Sequence, residues 1–166
     1  MKRAPGNWSP FYIYKLPSVM KLKISSVDQM HQLGAKIGAQ LKAGDVVVLT
    51  GELGSGKTVL TQGIASSFGI KNITSPTFVI SRVYKSKINF IHIDSYRLLG
   101  QEVHSFSDLD FESYLENSVF VIEWGATFVN TLTDQYLEIV IKQGQEENSR
   151  NISFNLVGDR WSGFNL

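Results

Sequence analysis

Gly51-Glu-Leu-Gly-Ser-Gly-Lys-Thr58 is the most informative segment of this chain. It fits the pattern G-x-x-x-x-G-K-[ST], in which glycines allow the backbone to bend closely around a phosphate group. An apolar, β-branched run, Val46-Val-Val-Leu-Thr50, precedes it and predicts a buried strand. Helical residues follow, over about 57–68, and Gly69 is a natural helix stop. This strand–loop–helix context is the one that the pattern requires, so we predict a phosphate-binding loop.

Each part of the segment has a chemical role in this prediction. Main-chain N–H groups and the positive end of the following helix form an anion cradle. Lys57 supplies a compact positive charge for the β- and γ-phosphates, and the Thr58 hydroxyl is a candidate Mg²⁺ ligand. The alternative interpretation is a glycine-rich turn with an exposed lysine. The residues predicted to contact the nucleotide are Gly51, Glu52, Leu53, Gly54, Ser55, Gly56, Lys57 and Thr58.

The chain lacks the tetrapeptide N-K-x-D, which guanine-specific GTPases carry after a later strand. Adenine nucleotides are therefore favoured, and ATP or ADP with Mg²⁺ are the predicted cofactors.

The remaining periodicity predicts one α/β domain. Its expected fold class is a P-loop NTPase-like three-layer sandwich, a central mixed sheet with helices on both faces and a C-terminal antiparallel hairpin. We expect residues 1–19 to be a poorly structured extension, 20–160 the ATPase domain and 161–166 a C-terminal tail. Met20 is an alternative start. The predicted elements are a helix after the capping box Ser26-Val-Asp-Gln29, strands at 78–84, 88–94 and 118–124, an acidic helix at 98–117, and a hairpin of strands 136–142 and 150–156.

Two acidic residues stand at strand ends, where open α/β sheets bind ligands. Asp94 ends one predicted strand and Glu123 ends another. A phosphate-binding loop needs such a carboxylate to hold Mg²⁺, usually through water. A strand-end acid can also simply cap a turn. The spacing does not decide which acid holds the metal and which orients the attacking water.

Three further residues have both a structural and a functional interpretation. Thr77, in Ser75-Pro-Thr77, either follows a proline that starts a strand or senses the γ-phosphate. His92 lies two residues before Asp94 and on the same strand face, and we interpret it as a core histidine. Trp124 either packs in the core or lies at the nucleotide mouth or a partner interface.

Composition excludes several classes of protein. The chain contains no cysteine, so disulfides, thiolate zinc sites, iron–sulfur clusters and a cysteine nucleophile are ruled out. Its formal net charge is +1, whereas strongly electrostatic nucleic-acid binders are far more basic. No apolar run approaches the ~20 residues of a membrane helix. We therefore expect a cytoplasmic protein, since the lack of cysteine fits a reducing compartment.

Together these motifs resemble the TsaE (YjeE) family. The resemblance covers roughly residues 22–157. It rests on G-E-L-G-S-G-K-T, then Ser75-Pro-Thr-Phe78, His92-Ile-Asp-Ser-Tyr-Arg-Leu98 and Glu123-Trp124, in the family's order and spacing. One departure is Gly125, where many members have proline.

The resemblance implies an ATPase of tRNA threonylcarbamoyladenosine (t6A) synthesis, weak without its partners. It implies assembly with TsaD and TsaB homologues, in which TsaD modifies adenosine 37 of tRNA and ATP hydrolysis resets the complex between cycles. Direct tRNA contact stays open. The residue roles that it implies are phosphate binding for Lys57, Mg²⁺ binding for Thr58 and Glu123, water orientation or catalysis for Asp94, γ-phosphate sensing for Thr77, and a functional aromatic at Trp124. It also implies that the adenine lies near Ser25 and Ser26, and that Arg150 approaches the nucleotide.

Two other function classes compete with this one. A small-molecule kinase on the same fold would close an arginine-bearing lid over its acceptor. The chain has only five arginines and no segment that resembles such a lid. A nucleotide-dependent interaction module would bind ATP without significant hydrolysis.

Overall fold

A mixed seven-stranded sheet organises the chain. The computed structural model describes residues 20–76, 79–100 and 110–166. The sheet order is β1-β7-β6-β2-β5-β4-β3. The four central strands, β6, β2, β5 and β4, run parallel, whereas β1, β7 and β3 pair antiparallel with their neighbours. The strands are β1 (Met20–Ile24), β2 (Val46–Gly51), β3 (Ser81–Tyr84), β4 (Asn89–Asp94), β5 (Ser118–Glu123), β6 (Tyr136–Gln143) and β7 (Arg150–Val157).

The central strand β2 leads into the phosphate-binding loop. Its residues 46–49 are fully buried, as their apolar, β-branched character predicts for a parallel strand covered on both faces. Parallel pairing brings the carboxyl ends of β2, β5 and β4 to one edge of the sheet. Leu49 pairs with Glu123, and Glu123 pairs with Asp94. The two strand-end acids therefore lie beside each other next to the loop.

Two α-helices pack together on one face of the sheet. They are α1 (Val27–Gly38) and α2 (Lys57–Ser66). The predicted capping box is present, because Ser26 Oγ accepts from the Gln29 N–H and Gln29 Oε1 accepts from the Ser25 N–H. Short 3₁₀ helices cover the opposite face, where Phe111, Phe128 and their neighbours pack on alternate sheet residues. The sheet thus has a helical layer on each face.

The predicted helix over 98–117 is wrong in the described residues. Tyr96–Leu98 and Phe111–Asn117 are separate 3₁₀ helices, and residues 101–109 lie outside the described part. Gly100 has φ +82° and Asp110 has φ +50°, so left-handed backbone interrupts the chain at both points. A continuous right-handed helix cannot pass through such residues.

Several boundaries also differ from the sequence predictions. Strand β1 was not predicted, and the strand expected at 78–84 begins at Ser81, after Ile80 adopts φ +66°. The expected extension at 1–19 lies outside the described residues. The expected tail packs against the core, with Trp161 fully buried and Phe164 nearly so. In the part of the chain that the structure describes, we find no helix with the length and apolar character to cross a bilayer.

Candidate nucleotide-binding site

The phosphate-binding loop runs from the end of β2 to the start of α2. Gly56 is the N-cap of α2 and has φ +105°, a left-handed conformation that an L side chain rarely adopts. No side chain caps this helix end. Its first N–H groups therefore keep their capacity to bind an anion, and the helix dipole adds to that preference.

The Lys57 ammonium is hydrogen-bonded to the backbone of the phosphate-binding loop. Its Nζ donates to the carbonyl oxygens of Gly51 at 2.8 Å and Glu52 at 2.9 Å. The same Nζ lies 4.0 Å from the centre of the Trp124 ring. Burial lowers the pKa of Lys57 below its ordinary value of 10.5, while Glu123 and Asp94 act in the opposite direction. An anion in the loop would restore the preference for the charged ammonium.

Thr58 and Glu123 lie together beside the loop. Thr58 Oγ1 is 3.1 Å from Glu123 Oε1 and 3.4 Å from Oε2. Adjacent ligands of an octahedral Mg²⁺, with bonds of about 2.1 Å, are about 3 Å apart. The two oxygens thus have the spacing and the hard donor character of a Mg²⁺ ligand pair.

The described residues contain no cluster of three or more His, Cys, Asp or Glu side chains that could hold a metal ion. Mg²⁺ does not require one, since it usually keeps several waters and is bound by one or two protein oxygens together with substrate phosphates. The donor set present here therefore fits a nucleotide-bound magnesium ion and not an all-protein metal cage.

Asp94 is buried at the end of β4, and each of its two side-chain oxygens accepts a hydrogen bond. Ser75 Oγ donates to Oδ2 at 2.9 Å, and the Tyr96 N–H donates to Oδ1 at 3.1 Å. The carboxylate is only 4% exposed but borders a cavity beside the loop. It is therefore fixed in orientation and can accept a proton or a hydrogen bond from a molecule in that cavity.

Two cavities meet at the loop. The first, of about 410 Å³, lies between the start of α1 and the loop and is lined by Ser25, Ser26, Val27 and Met30 among others. The second, of about 520 Å³, contains Lys57, Thr58, Asp94, Glu123 and Trp124. Both are lined by Gly54, Gly56 and Val59. The loop thus lies between two compartments: the second holds Lys57, Asp94 and Glu123, and the first combines apolar side chains with serine hydroxyls and Arg150.

Arg150 supports the loop from β7. Its Nε donates to the Ser55 carbonyl at 3.0 Å, and its guanidinium also reaches the Gly54 carbonyl at 3.4 Å. The side chain also lines the first cavity, and its predicted approach to the nucleotide stays a prediction. The hydrogen bonds of its guanidinium go to main-chain oxygens, so Arg150 braces the loop backbone.

Most predicted site residues converge on this edge of the sheet. Lys57, Thr58, Asp94, Glu123 and Trp124 share one cavity, and Ser26 and Arg150 line the other. Leu53 is 85% exposed and lies at the outer rim of the second cavity. Thr77 lies outside the described residues, so its predicted role stays a prediction.

Sequence reasoning missed three features of the site. Met30 and Asn148 line the first cavity, and Ser75 bonds directly to Asp94. Met30 lies on the buried face of α1 and Asn148 in the β6–β7 turn, and neither position carries a motif that points to a ligand. The motif Ser75-Pro-Thr77 contained the signal for Ser75, but sequence spacing does not show which strand end a loop hydroxyl reaches.

Comparison with known proteins assigns the chain to a family. Residues 24–152 match the family model described as "Threonylcarbamoyl adenosine biosynthesis protein TsaE". Proteins named tRNA threonylcarbamoyladenosine biosynthesis protein TsaE are similar along most of their length. The one from Streptomyces coelicolor is 39% identical over 140 residues, which is 80% of this chain and 94% of the relative. The one from Bacillus subtilis is 32% identical over 145 residues, or 86% and 89%.

The structural comparison agrees. The crystal structure of Bacillus subtilis YdiB matches with a TM-score of 0.72 and 30% sequence identity, over 88% of this chain and 90% of that one. The predicted P-loop NTPase-like α/β fold is thereby confirmed, and so is the family resemblance. The chain belongs to the TsaE family, whose members are nucleotide-binding P-loop proteins of tRNA threonylcarbamoyladenosine biosynthesis.

Proposed function

We propose that this protein binds ATP and hydrolyses it with Mg²⁺ in support of t6A modification at position 37 of tRNA, by cycling a complex of TsaD and TsaB homologues. The observation that carries the proposal is the meeting of two cavities at residues 51–58. The first cavity offers a nucleobase both apolar side chains and serine hydroxyls, and the second gathers the lysine, the hydroxyl and both acids.

The positions of the two cavities determine how the nucleotide is oriented. The adenine occupies the compartment beside Ser25 and Ser26, where Val27, Met30 and Val59 offer apolar contact. The phosphates follow the loop amides and the start of α2, and Lys57 neutralises the β- and γ-phosphates. Trp124 stands beside Lys57 and limits the access of water to that side of the ammonium.

In this proposal, one acidic residue binds the metal and the other orients the attacking water. Thr58 and Glu123 would hold Mg²⁺, which would offset the negative charge of the β- and γ-phosphates. Asp94, fixed by Ser75 and the Tyr96 N–H, orients the attacking water and accepts its proton. Thr77 is proposed to sense the γ-phosphate. The 3.1 Å contact between Thr58 and Glu123 supports this assignment of the two acids.

Hydrolysis is favoured over transfer of phosphate to a metabolite. In the described residues, no arginine lines the cavity that contains Asp94. Arg82 bonds to Thr74, and Arg160 pairs with Asp45, which leaves these two guanidinium groups committed elsewhere. A kinase lid would need arginines over the acceptor.

The remaining proposals follow from the family. Its members act in a pathway with other Tsa proteins, and we propose that TsaD and TsaB homologues stimulate a weak intrinsic ATPase. We also propose that residues 20–160 form the ATPase domain, against whose core Trp161 and Phe164 pack, and that the protein works in the cytoplasm, where tRNA is modified.

An ATPase assay with and without the partners tests the function. We expect slow phosphate release by the protein alone and clear stimulation by TsaD and TsaB homologues together. Asp94→Asn in the same assay controls for contaminating ATPases. Phosphate transfer to a small molecule would favour the kinase, and binding without any hydrolysis, even with both partners, would contradict the proposal.

A further inference from the structure

His92 lies behind the proposed metal ligand Glu123. It is on β4, adjacent to β5, and its Nε2 is 2.9 Å from Glu123 Oε1. The His92 side chain is fully buried and that of Glu123 is 4% exposed. A carboxylate oxygen only accepts, so Nε2 donates in this contact. The buried imidazole is therefore a direct hydrogen-bond donor to the carboxylate.

The other ring nitrogen has no comparable contact. Nδ1 of His92 is buried and has no hydrogen-bond partner among the described residues. A histidine that served only the core would have both nitrogens satisfied, or would be replaced by an apolar side chain at less cost, because an unpaired buried polar atom is unfavourable. The polar function of this ring is thus directed at Glu123.

The same Glu123 oxygen is shared with Thr58. Oε1 accepts from His92 at 2.9 Å and from Thr58 Oγ1 at 3.1 Å. A Thr58 hydroxyl that ligates a metal turns a lone pair toward it, and its O–H stays able to donate to the carboxylate. His92 is the fully buried donor of the two, so it constrains the orientation of Oε1 whether or not Thr58 ligates a metal.

We infer that His92 is a positioning residue that holds Glu123 in the orientation needed for Mg²⁺–nucleotide binding. This inference rests on the proposed function, because it requires Mg²⁺ at Thr58 and Glu123. It predicts that His92 acts on the magnesium dependence of nucleotide binding and not on nucleotide binding as such. Loss of a hydrogen bond behind a metal ligand typically weakens metal binding about 10- to 100-fold.

Two polar substitutions of His92 distinguish a role in positioning Glu123 from a role in packing alone. Glutamine carries its amide nitrogen about as far from the backbone as Nε2, whereas the shorter asparagine does not reach Glu123. His92→Gln should therefore retain the contact and His92→Asn should lose it. If His92→Asn does not fold by circular dichroism, His92→Leu takes its place, because it removes the donor without leaving an unpaired amide.

The experiment is calorimetric titration of the full chain with ADP, in EDTA and over a series of Mg²⁺ concentrations. ADP makes the readout independent of turnover. In EDTA, we expect wild type and both variants to bind ADP within about twofold of each other. The Mg²⁺ concentration that gives half of the gain in affinity should rise about 10- to 100-fold in His92→Asn and stay near wild type in His92→Gln.

The other possible outcomes would each contradict a different part of this inference. Equal magnesium dependence in all three proteins, or equal losses in both variants, would overturn the positioning role and leave the proposed function intact. A loss in His92→Asn that is as large in EDTA as in Mg²⁺ would show a purely structural role. No effect of Mg²⁺ on wild type would overturn the proposed metal site and, with it, this inference.

Discussion

Replacement of Lys57 by methionine is the sharpest test of the phosphate-binding loop. Methionine keeps an unbranched side chain of similar length, so the packing beside Trp124 is largely preserved. What is lost is the ammonium, which donates to the carbonyls of Gly51 and Glu52 at 2.8 and 2.9 Å. Those acceptors are main-chain groups of the loop itself. The loss that matters for binding is the charge opposite the phosphates.

The size of the effect follows from that lost contact. A hydrogen bond to a charged group contributes about 1.5–3 kcal/mol. At about 1.4 kcal/mol for each factor of ten, the Kd for ATP should rise roughly 10- to 150-fold in Lys57→Met. The stability of the fold should change little, because burial of the ammonium is itself unfavourable, as its lowered pKa indicates.

Isothermal titration calorimetry with a slowly hydrolysed ATP analogue and Mg²⁺ measures the change. Lys85→Met is the matched control, since Lys85 is exposed at the β3–β4 turn and carries the same charge. The control should bind like wild type. An affinity of Lys57→Met within about threefold of wild type would refute the cradle, and an equal loss in Lys85→Met would point to general electrostatic attraction instead.

Three further predictions concern pH, hydrolysis and packing. Folding lowers the pKa of Lys57, so between that pKa and 10.5 the unfolded chain binds more protons than the folded one. The free energy of unfolding should therefore rise with pH across this window. Urea denaturation measures the rise, which should be smaller in Lys57→Met. Asp94→Asn should bind ATP normally by calorimetry but lose about 10²- to 10⁴-fold in the rate of phosphate release; full turnover would remove its catalytic role. Gly63→Ala should lower the melting temperature by roughly 2–12 °C, because an added Cβ would clash with the His31 carbonyl oxygen and lie 2.9 Å from the Gly34 Cα at the α1–α2 crossing. Gly163→Ala, with open space around the added Cβ, should melt like wild type.

The part of the fold that depends on local sequence was predictable. The run at 46–50 is apolar because a central parallel strand is buried on both faces, and glycines must follow where the backbone turns into α2. These preferences act over a few neighbouring residues. The strand, the loop and the helix could therefore be located without any tertiary information.

The parts that depend on distant partners could not be predicted. Strand β1 is only five residues long, and it is a strand because it pairs antiparallel with β7. The acidic stretch after Leu98 has helical spacing, but left-handed backbone at Gly100 and Asp110 prevents one continuous helix. Its apolar residue Phe111 packs on the sheet from a 3₁₀ helix instead.

In the site too, some features follow from local sequence and others depend on distant partners. Both acids were predictable, because the carboxyl ends of parallel strands meet at one edge of a sheet. The contacts that fix them were not: His92 reaches Glu123 across 31 positions, and Ser75 reaches Asp94 across 19. Such contacts depend on the register of β4 against β5 and on the path of a loop, which the sequence does not display.

A crystal structure of the protein with a non-hydrolysable ATP analogue and Mg²⁺ would test the central claim most directly. We expect the triphosphate within residues 51–58 beside Lys57, the adenine next to Ser26, and the metal at Thr58 and Glu123. An empty loop, with the nucleotide bound elsewhere on the protein, would contradict the account.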